Sequence, residues 1–213
     1  SEYASYPFGS IAWYLARLMK KTDIVYRVGS SLYVNVTNRC SNSCSFCIAQ
    51  YGPKLWGYYL RFPTPQDEPN AEELFAAISA EADFTELVFC GLGEPWLRIE
   101  TIIELLEKLK LPRSKVRMNT NGHGLMLGPH SALERLAQYV STLSVSLNAP
   151  NAKSYVEVCQ PKFGEKSFAA ILEFILKTKE FFKVTATAVA SSEVDLLATE
   201  KLALSLGVAF KRR

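Results

Sequence analysis

The stretch LYVNVTNRCSNSCSFC, residues 32–47, joins a β-rich run to three closely spaced cysteines. Its first five residues have the composition of a buried strand. Cys40, Cys44 and Cys47 follow in the loop after this strand. A disulfide needs two cysteines, and a closed zinc site needs four ligands. Three thiolates can hold three irons of a cubane iron–sulfur cluster and leave the fourth iron open, so the spacing favours such a cluster.

Two other interpretations of these cysteines remain open. They could form a structural zinc site that borrows a distant fourth ligand, or they could simply be buried thiols. The rest of the sequence contains no second C-x2-C or H-x3-H half-site, and Cys90 and Cys159 stand alone. The iron–sulfur interpretation therefore leads.

Strand-like and helix-like segments alternate along the chain. Short β-type runs occur at residues 32–36, 87–90, 116–118, 143–147, 184–189 and 208–210. Between them, apolar residues recur with helical spacing near residues 71–78, 99–106, 133–140, 168–175 and 194–206. Asn70 with Glu73, and Ser131 with Glu134, predict capping boxes at the start of two of these helices.

This alternation predicts an α/β fold with a parallel sheet and right-handed crossovers. Six strand–helix units are fewer than the eight of a closed barrel, so we expect a partial (β/α)6 TIM-type barrel in a single domain. A doubly wound sheet remains the alternative. In either fold, reactive groups gather at the carboxyl ends of the strands.

The region before residue 31 is predicted to be an extension of this core. It contains a helix with Ile11, Tyr14, Leu15 and Leu18 on one face, followed by a strand at residues 24–28. We therefore divide the chain into an N-terminal extension, residues 1–30, and a core, residues 31–213.

Composition excludes few functions. The chain has 213 residues, 48% hydrophobic residues and a net charge of +3, which is too small to indicate a nucleic-acid partner. The apolar stretch at residues 11–19 is short and contains Arg17, which predicts neither a membrane span nor a signal peptide. We expect a cytoplasmic protein with reduced cysteines and no membrane contact.

The cysteine spacing C-x3-C-x-aromatic-C, with Phe46 as the aromatic residue, resembles the signature of the radical S-adenosylmethionine (radical SAM) superfamily. The resemblance implies a [4Fe–4S] cluster on Cys40, Cys44 and Cys47. It also implies that S-adenosylmethionine binds the open iron through its amino and carboxylate groups. Reductive cleavage would then give methionine and a 5′-deoxyadenosyl radical that abstracts hydrogen from a substrate.

Further stretches resemble the cosubstrate-binding motifs of this superfamily. CGLGEP, residues 90–95, is similar to the Gly-Gly-Glu motif, with Leu92 in place of one glycine. MNTNGHG, residues 118–124, resembles the Thr-Asn-Gly turn, and SVSLNAP, residues 144–150, the Ser-Leu-Asn stretch. The resemblance implies contacts to S-adenosylmethionine by Phe46, Gly91, Gly93, Glu94, Pro95, Asn119, Thr120, Asn121, Ser146, Asn148 and Val189.

The combination of these motifs with CQPKFGE, residues 159–165, resembles the small radical SAM proteins associated with TatD-family nucleases. This resemblance implies a link to such a nuclease and an electron donor such as flavodoxin or ferredoxin. It does not give the substrate, for which we expect a small or nucleotide-like molecule. An activase for a partner protein and a non-catalytic iron–sulfur or zinc protein are the alternatives.

The remaining candidates concern the substrate. Residues 50–70 are rich in aromatic residues and suit a lid over the sheet edge, or a simple cap on the barrel. We expect Cys90 to be a buried core thiol and Cys159 to be a loop residue. His123 is a candidate acid, base or polar contact beside the Thr-Asn-Gly turn. The sequence identifies no catalytic residue.

Overall fold

The structure is a computed structural model that describes residues 22–191 and 193–213. The predicted N-terminal helix lies outside the described residues. The strand predicted after it is β1 (Val25–Val28), which forms an antiparallel hairpin with β2 (Ser31–Val34). Gly29 adopts a left-handed conformation in the connecting turn, with φ of 60°.

The elements after β2 alternate much as the sequence predicts. They are β3 (Lys54–Leu55), β4 (Tyr58–Tyr59), α1 (Ala71–Ser79), β5 (Glu86–Phe89), α2 (Ile99–Leu109), β6 (Val116–Thr120), α3 (Gly124–Leu127), α4 (Ser131–Ala137), β7 (Thr142–Ser146), α5 (Ala152–Cys159), α6 (Lys166–Thr178), β8 (Lys183–Ala188), α7 (Leu196–Ser205) and β9 (Ala209–Arg212).

Seven strands of the described residues form one sheet, in the order β1-β2-β5-β6-β7-β8-β9. Every pair from β2 to β9 is parallel, and β1 is antiparallel at the edge. β3 and β4 form a separate two-stranded hairpin. The predicted α/β fold with a mainly parallel sheet is confirmed.

One face of the sheet packs against the helices and forms the apolar core. Alternate strand residues point to this face because the side-chain period of a strand is two. These side chains are fully buried and include Leu32, Val34, Leu87, Phe89, Met118, Leu143, Val145 and Ala186. The core anchors the strands, so their carboxyl ends are held at fixed positions relative to one another.

The two predicted capping boxes had different outcomes. The Asn70 box is confirmed: its side chain accepts from Glu73 N at 2.9 Å, and the Glu73 carboxylate accepts from Asn70 N at 2.9 Å. The Ser131 box is wrong. His130 is already helical, with φ of −59° and ψ of −32°, so Ser131 lies within the first turn and cannot act as its N-cap.

The sequence prediction also missed two helices, the short α3 and α5, and a hairpin. Residues 152–159, within the connection after β7, form α5, which begins where the Asn151 side chain accepts from Ser154 N at 2.9 Å. Tyr155, Val158 and Cys159 form its buried stripe, a helical spacing that the sequence does contain. The aromatic segment contains the β3–β4 hairpin, whose turn places Trp56 at a positive φ of 50°.

Within the described residues, no helix combines the length and the apolar character that a membrane span requires.

Candidate functional site

The predicted motifs follow four neighbouring strands, all at the same edge of the sheet. The cysteine loop follows β2, the CGLGEP turn follows β5, the Thr-Asn-Gly turn ends β6, and residues 147–150 follow β7. Val189 lies directly after β8. Because the carboxyl ends of parallel strands share one edge, segments far apart in sequence meet there.

Backbone hydrogen bonds attach the cysteine loop to the end of α5. Ser43 N donates to Cys159 O at 3.1 Å, Ser45 N donates to Val158 O at 2.9 Å, and Lys162 N donates to Ser41 O at 2.8 Å. The CQPKFGE stretch therefore fixes the path of the loop. Its role could not be read from residue spacing, because it depends on how α5 packs.

The five cysteines differ in their surroundings. Cys40 is exposed, and its sulfur accepts from Asn42 N at 3.4 Å and from Asn121 Nδ2 at 3.7 Å. A hydrogen bond with the Cys159 thiol, together with burial, raises the pKa of Cys44 above its usual range. Among the described residues, no three His, Cys, Asp or Glu side chains are arranged as ligands of a single metal ion.

The predictions for the two other cysteines are wrong. Cys159 is the last residue of α5 and is fully buried, with its sulfur 3.6 Å from the donating Asn148 Nδ2. Cys90 is only half-buried and lies outside the apolar core, because the alternation of β5 turns it away from the helices. Tyr26 donates its hydroxyl to Cys90 O at 2.9 Å.

The glycines of CGLGEP are required by close packing within the protein. A Cβ on Gly91 would lie 2.0 Å from Asn35 Oδ1, and one on Gly93 would lie 2.4 Å from Arg39 O. Leu92, which replaces a family glycine, is buried in a small cluster with Tyr26 and Leu60. The departure from the family motif therefore has a packing reason and leaves the two flanking glycines in place.

The Glu94 carboxylate links the turns after β5 and β6. It accepts from Trp96 N at 3.0 Å, Thr120 Oγ1 at 2.8 Å and Asn121 N at 2.6 Å. Burial raises the pKa of Glu94 to about 7, while these three donors act in the opposite direction. The predicted contact to a ligand ammonium stays a prediction. In the structure, Glu94 instead positions Thr120 and Asn121.

His123 lies at the centre of a buried polar network beneath the cysteine loop. Its Nδ1 is 2.9 Å from Ser41 Oγ, and its Nε2 is 3.3 Å from the Tyr155 hydroxyl. Asn121 Nδ2 donates to Ser41 Oγ at 2.8 Å, and Asn42 Nδ2 donates to the Tyr155 hydroxyl at 2.8 Å. The network joins the cysteine loop, the Thr-Asn-Gly turn and α5. Ser41, Asn42 and Tyr155 were not among the predicted site residues.

This environment predicts a pH dependence of stability. Burial lowers the pKa of His123 to about 4 from its usual 6.5. The folded state then binds fewer protons than the unfolded state between these pH values, so stability falls as the pH falls from about 6.5 to about 4. At about 1.4 kcal/mol per pKa unit, the loss is about 3 kcal/mol.

The measurement is urea unfolding of wild-type and His123→Gln protein at several pH values. The variant comparison is needed because the raised pKa of Glu94 acts with the opposite sign, increasing stability as the pH falls from about 7 to about 4.5. The stability advantage of the wild type should shrink by about 3 kcal/mol toward pH 4. A stability advantage of the wild type over His123→Gln that stays constant across this pH range would contradict the lowered pKa of His123.

The end of β7 differs from the prediction. The strand ends at Ser146, and Asn148 adopts a left-handed φ of 57°, so strand alternation does not extend to Asn148. Its Oδ1 accepts from Val189 N at 3.3 Å, which connects the ends of β7 and β8. Asn148 is therefore buried in the protein and does not share the direction of Ser146.

The residues at this edge fit an iron–sulfur cluster and a polar cosubstrate. Cys40, Cys44 and Cys47 supply the thiols that such clusters use, and the N–H groups of Asn42 and Asn121 donate toward the Cys40 sulfur. The buried Asn35 Oδ1 beside Gly91 has no hydrogen-bond partner among the described residues. A free acceptor at this position suits a ligand with donor groups.

Fold and site together define an α/β protein with three loop cysteines at the carboxyl edge of a parallel sheet. The family model of the radical SAM superfamily matches residues 34–194. This chain therefore belongs to the radical SAM superfamily, whose members are enzymes.

The chain is similar to a curated RNA methyltransferase. The dual-specificity RNA methyltransferase RlmN of Buchnera aphidicola subsp. Schizaphis graminum (strain Sg) is 24% identical over 180 residues, which cover 79% of this chain and 48% of that protein. The chain thus spans about half the length of this curated relative.

Two solved structures share the fold. TYW1 with a lysine-pyruvate adduct bound has a TM-score of 0.56 at 16% identity, covering 86% of this chain and 65% of that one. The FeFe-hydrogenase maturase HydG from Carboxydothermus hydrogenoformans has a TM-score of 0.54 at 19% identity, covering 85% and 43%. At these identities the likeness concerns the fold alone.

Proposed function

We propose that this protein is a radical SAM enzyme with one [4Fe–4S] cluster on Cys40, Cys44 and Cys47. The observation that carries the proposal is the meeting of this three-cysteine loop with the CGLGEP, Thr-Asn-Gly and β7-end segments at one sheet edge. When bound and reduced, the cluster supplies one electron that cleaves S-adenosylmethionine to methionine and a 5′-deoxyadenosyl radical, which takes a hydrogen atom from the substrate. Flavodoxin or ferredoxin is the proposed electron donor.

The protein's own residues would prepare the site for this chemistry. Burial and the nearby Glu94 raise the pKa of Cys40 to about 12, and the N–H groups of Asn42 and Asn121, which donate toward its sulfur, act in the opposite direction. Glu94 holds Asn121 in place, and the free Asn35 Oδ1 offers an acceptor to the cosubstrate. The proposed contacts to S-adenosylmethionine are Phe46, Gly91, Gly93, Glu94, Pro95, Asn119, Thr120, Asn121, Ser146, Asn148 and Val189.

A partial (β/α)6 barrel is part of the proposal. The described residues contain six parallel strands, in the order β2-β5-β6-β7-β8-β9, with helices in the connections between them. This is the number of strand–helix units that such a partial barrel has, which supports the proposal. The division into an extension, residues 1–30, and a core, residues 31–213, is likewise proposed.

The proposed substrate is a small or nucleotide-like molecule. Tyr51 lies before the β3–β4 hairpin and Trp56 lies in its turn; they are 82% and 66% exposed, and such rings suit stacking on a base. The same segment would act as a lid.

Membership of the TatD-associated group, with a functional link to a TatD-family nuclease, rests on the combination of sequence motifs.

The reductive cleavage itself is directly testable. Anaerobically reconstituted protein, reduced with dithionite and supplied with S-adenosylmethionine, should form 5′-deoxyadenosine slowly even without substrate. Chromatography of the reaction measures the product, and Cys44→Ala protein is the control, because it lacks one cluster ligand. Absence of deoxyadenosine from protein with a full, reducible cluster would overturn the proposed activity.

A further inference from the structure

The sulfur of Cys40 accepts hydrogen bonds from two N–H groups. The backbone N–H of Asn42 donates to it at 3.4 Å, and the side-chain amide of Asn121 donates to it at 3.7 Å. The first bond is local, because Asn42 lies two residues after Cys40. The second comes from the turn after β6, 81 residues further along the chain, so it exists only because the fold brings the two segments together.

The side-chain amide of Asn121 can be oriented in only one way. Its Oδ1 accepts from His123 N at 3.0 Å, and an oxygen is required there because a backbone N–H can only donate. The NH2 group therefore lies on the other side of the amide. There it donates to Ser41 Oγ at 2.8 Å and to the Cys40 sulfur. The hydrogen-bond network thus makes Asn121 a donor to the sulfur.

The Thr-Asn-Gly turn holds this amide in place. Asn121 N donates to the buried Glu94 carboxylate at 2.6 Å, which fixes the backbone. Gly122 follows with a left-handed φ of 82°, and a Cβ on it would lie 2.9 Å from the Val145 side chain, so the turn requires glycine. Asn121 is 8% exposed, and its amide therefore acts on the sulfur with little screening by water.

A donor at this position has a consequence for an iron–sulfur cluster. Hydrogen bonds to the sulfurs are among the factors that set the reduction potential of such clusters. Reduction adds one negative charge, and a hydrogen bond to a charged acceptor is stronger than one to a neutral acceptor. An N–H group directed at a ligand sulfur therefore stabilises the reduced cluster more than the oxidised one, which raises the potential.

We propose that Asn121 raises the reduction potential of the cluster through its hydrogen bond to the Cys40 sulfur. The inference rests on the proposed function and gives Asn121 a role that is separate from contact to S-adenosylmethionine. Asn121 acts through a cluster ligand, so it is a positioning residue. The higher potential makes the cluster easier for the proposed flavodoxin or ferredoxin to reduce.

The test is a redox titration of reconstituted protein without S-adenosylmethionine, in which electron paramagnetic resonance measures the reduced cluster. At the solution potential where half of the wild-type clusters are reduced, we expect Asn121→Ala to lower the ratio of reduced to oxidised cluster at least about threefold. Asn121→Asp should lower it as much or more. Its carboxylate keeps the acceptor for His123 N but removes the N–H group from the sulfur.

Ser41→Ala is the matched control. It removes a hydroxyl that contacts both Asn121 Nδ2 and His123 Nδ1, so it loosens the same network beside Cys40. Among the described residues, the Ser41 hydroxyl donates no hydrogen bond to a cysteine sulfur. We expect this variant to keep the ratio of reduced to oxidised cluster within about twofold of the wild type. A loosened loop alone would instead change the ratio in the control as well.

Three results would overturn the inference alone. The first is a wild-type ratio in both Asn121 variants at full iron content. The second is a fall in Ser41→Ala as large as that in Asn121→Ala. The third is failure of both Asn121 variants to hold iron, because Asn121 would then be needed to assemble the cluster and not to tune it. Wild-type protein without a reducible cluster would overturn the proposed function as well, so the two failures are distinguishable.

Discussion

Replacing Cys40, Cys44 or Cys47 by Ala is expected to abolish the brown iron–sulfur absorption of protein reconstituted anaerobically with iron and sulfide. In the proposed cluster each thiolate would ligate a different iron of the cubane, so the loss of one would leave two irons without a protein ligand. The visible absorption spectrum and the iron and sulfide content per chain measure the effect. We expect loss of nearly all bound iron from each of the three variants.

Cys90→Ala and Cys159→Ala are the matched controls. Cys159 is the more demanding of the two, because its thiol hydrogen-bonds with Cys44 and its carbonyl accepts from the cysteine loop. Both controls should retain the absorption spectrum and the iron content of the wild type. A loss in either control equal to that of the three variants would make the three-ligand assignment wrong.

Glu94→Ala is expected to lower the free energy of unfolding by about 3–5 kcal/mol. The substitution removes the acceptor of Trp96 N, Thr120 Oγ1 and Asn121 N, and each buried donor left unpaired costs about 1–3 kcal/mol. Urea unfolding of the cluster-free protein measures this loss. Since Glu94 holds Asn121 beside Cys40, the same variant should also bind S-adenosylmethionine more weakly.

Glu104→Ala provides a control for removing a carboxylate. Glu104 is on the surface of α2, 57% exposed and paired with Lys108 at 3.2 Å, so its loss should cost less than about 1 kcal/mol. If Glu94→Ala is no more destabilising than Glu104→Ala, Glu94 does not link the β5 and β6 turns.

The sequence was sufficient to predict the sheet because the strands bury one face against helices. In a strand or a helix that packs against the core, apolar residues recur with the period of that element. The β-type runs and the helical stripes between them can therefore be recognised in the sequence. Asn70 and Glu73 also predict their helix start, since a capping box is a local interaction. Ser131 shows the limit of this reasoning, because Pro129 and His130 begin the turn before it, and the same motif then falls inside the helix.

The gathering of the motifs at one edge was predictable, since parallel strands share their carboxyl ends. The partners of individual side chains were not. Whether Glu94 meets a ligand or backbone N–H groups depends on the distance between the β5 and β6 turns, and the contact between Cys44 and Cys159 depends on how α5 packs. The His123 network likewise joins segments that only the fold brings together.

Electron paramagnetic resonance of the dithionite-reduced, reconstituted protein tests the open iron position most directly. The spectrum should be that of a reduced [4Fe–4S] cluster and should change when S-adenosylmethionine is added, because its amino and carboxylate groups would occupy the iron that lacks a cysteine. Metal analysis of the same sample should find iron and sulfide in equal amounts. A spectrum that S-adenosylmethionine leaves unchanged, or protein that holds zinc without sulfide, would contradict the assignment.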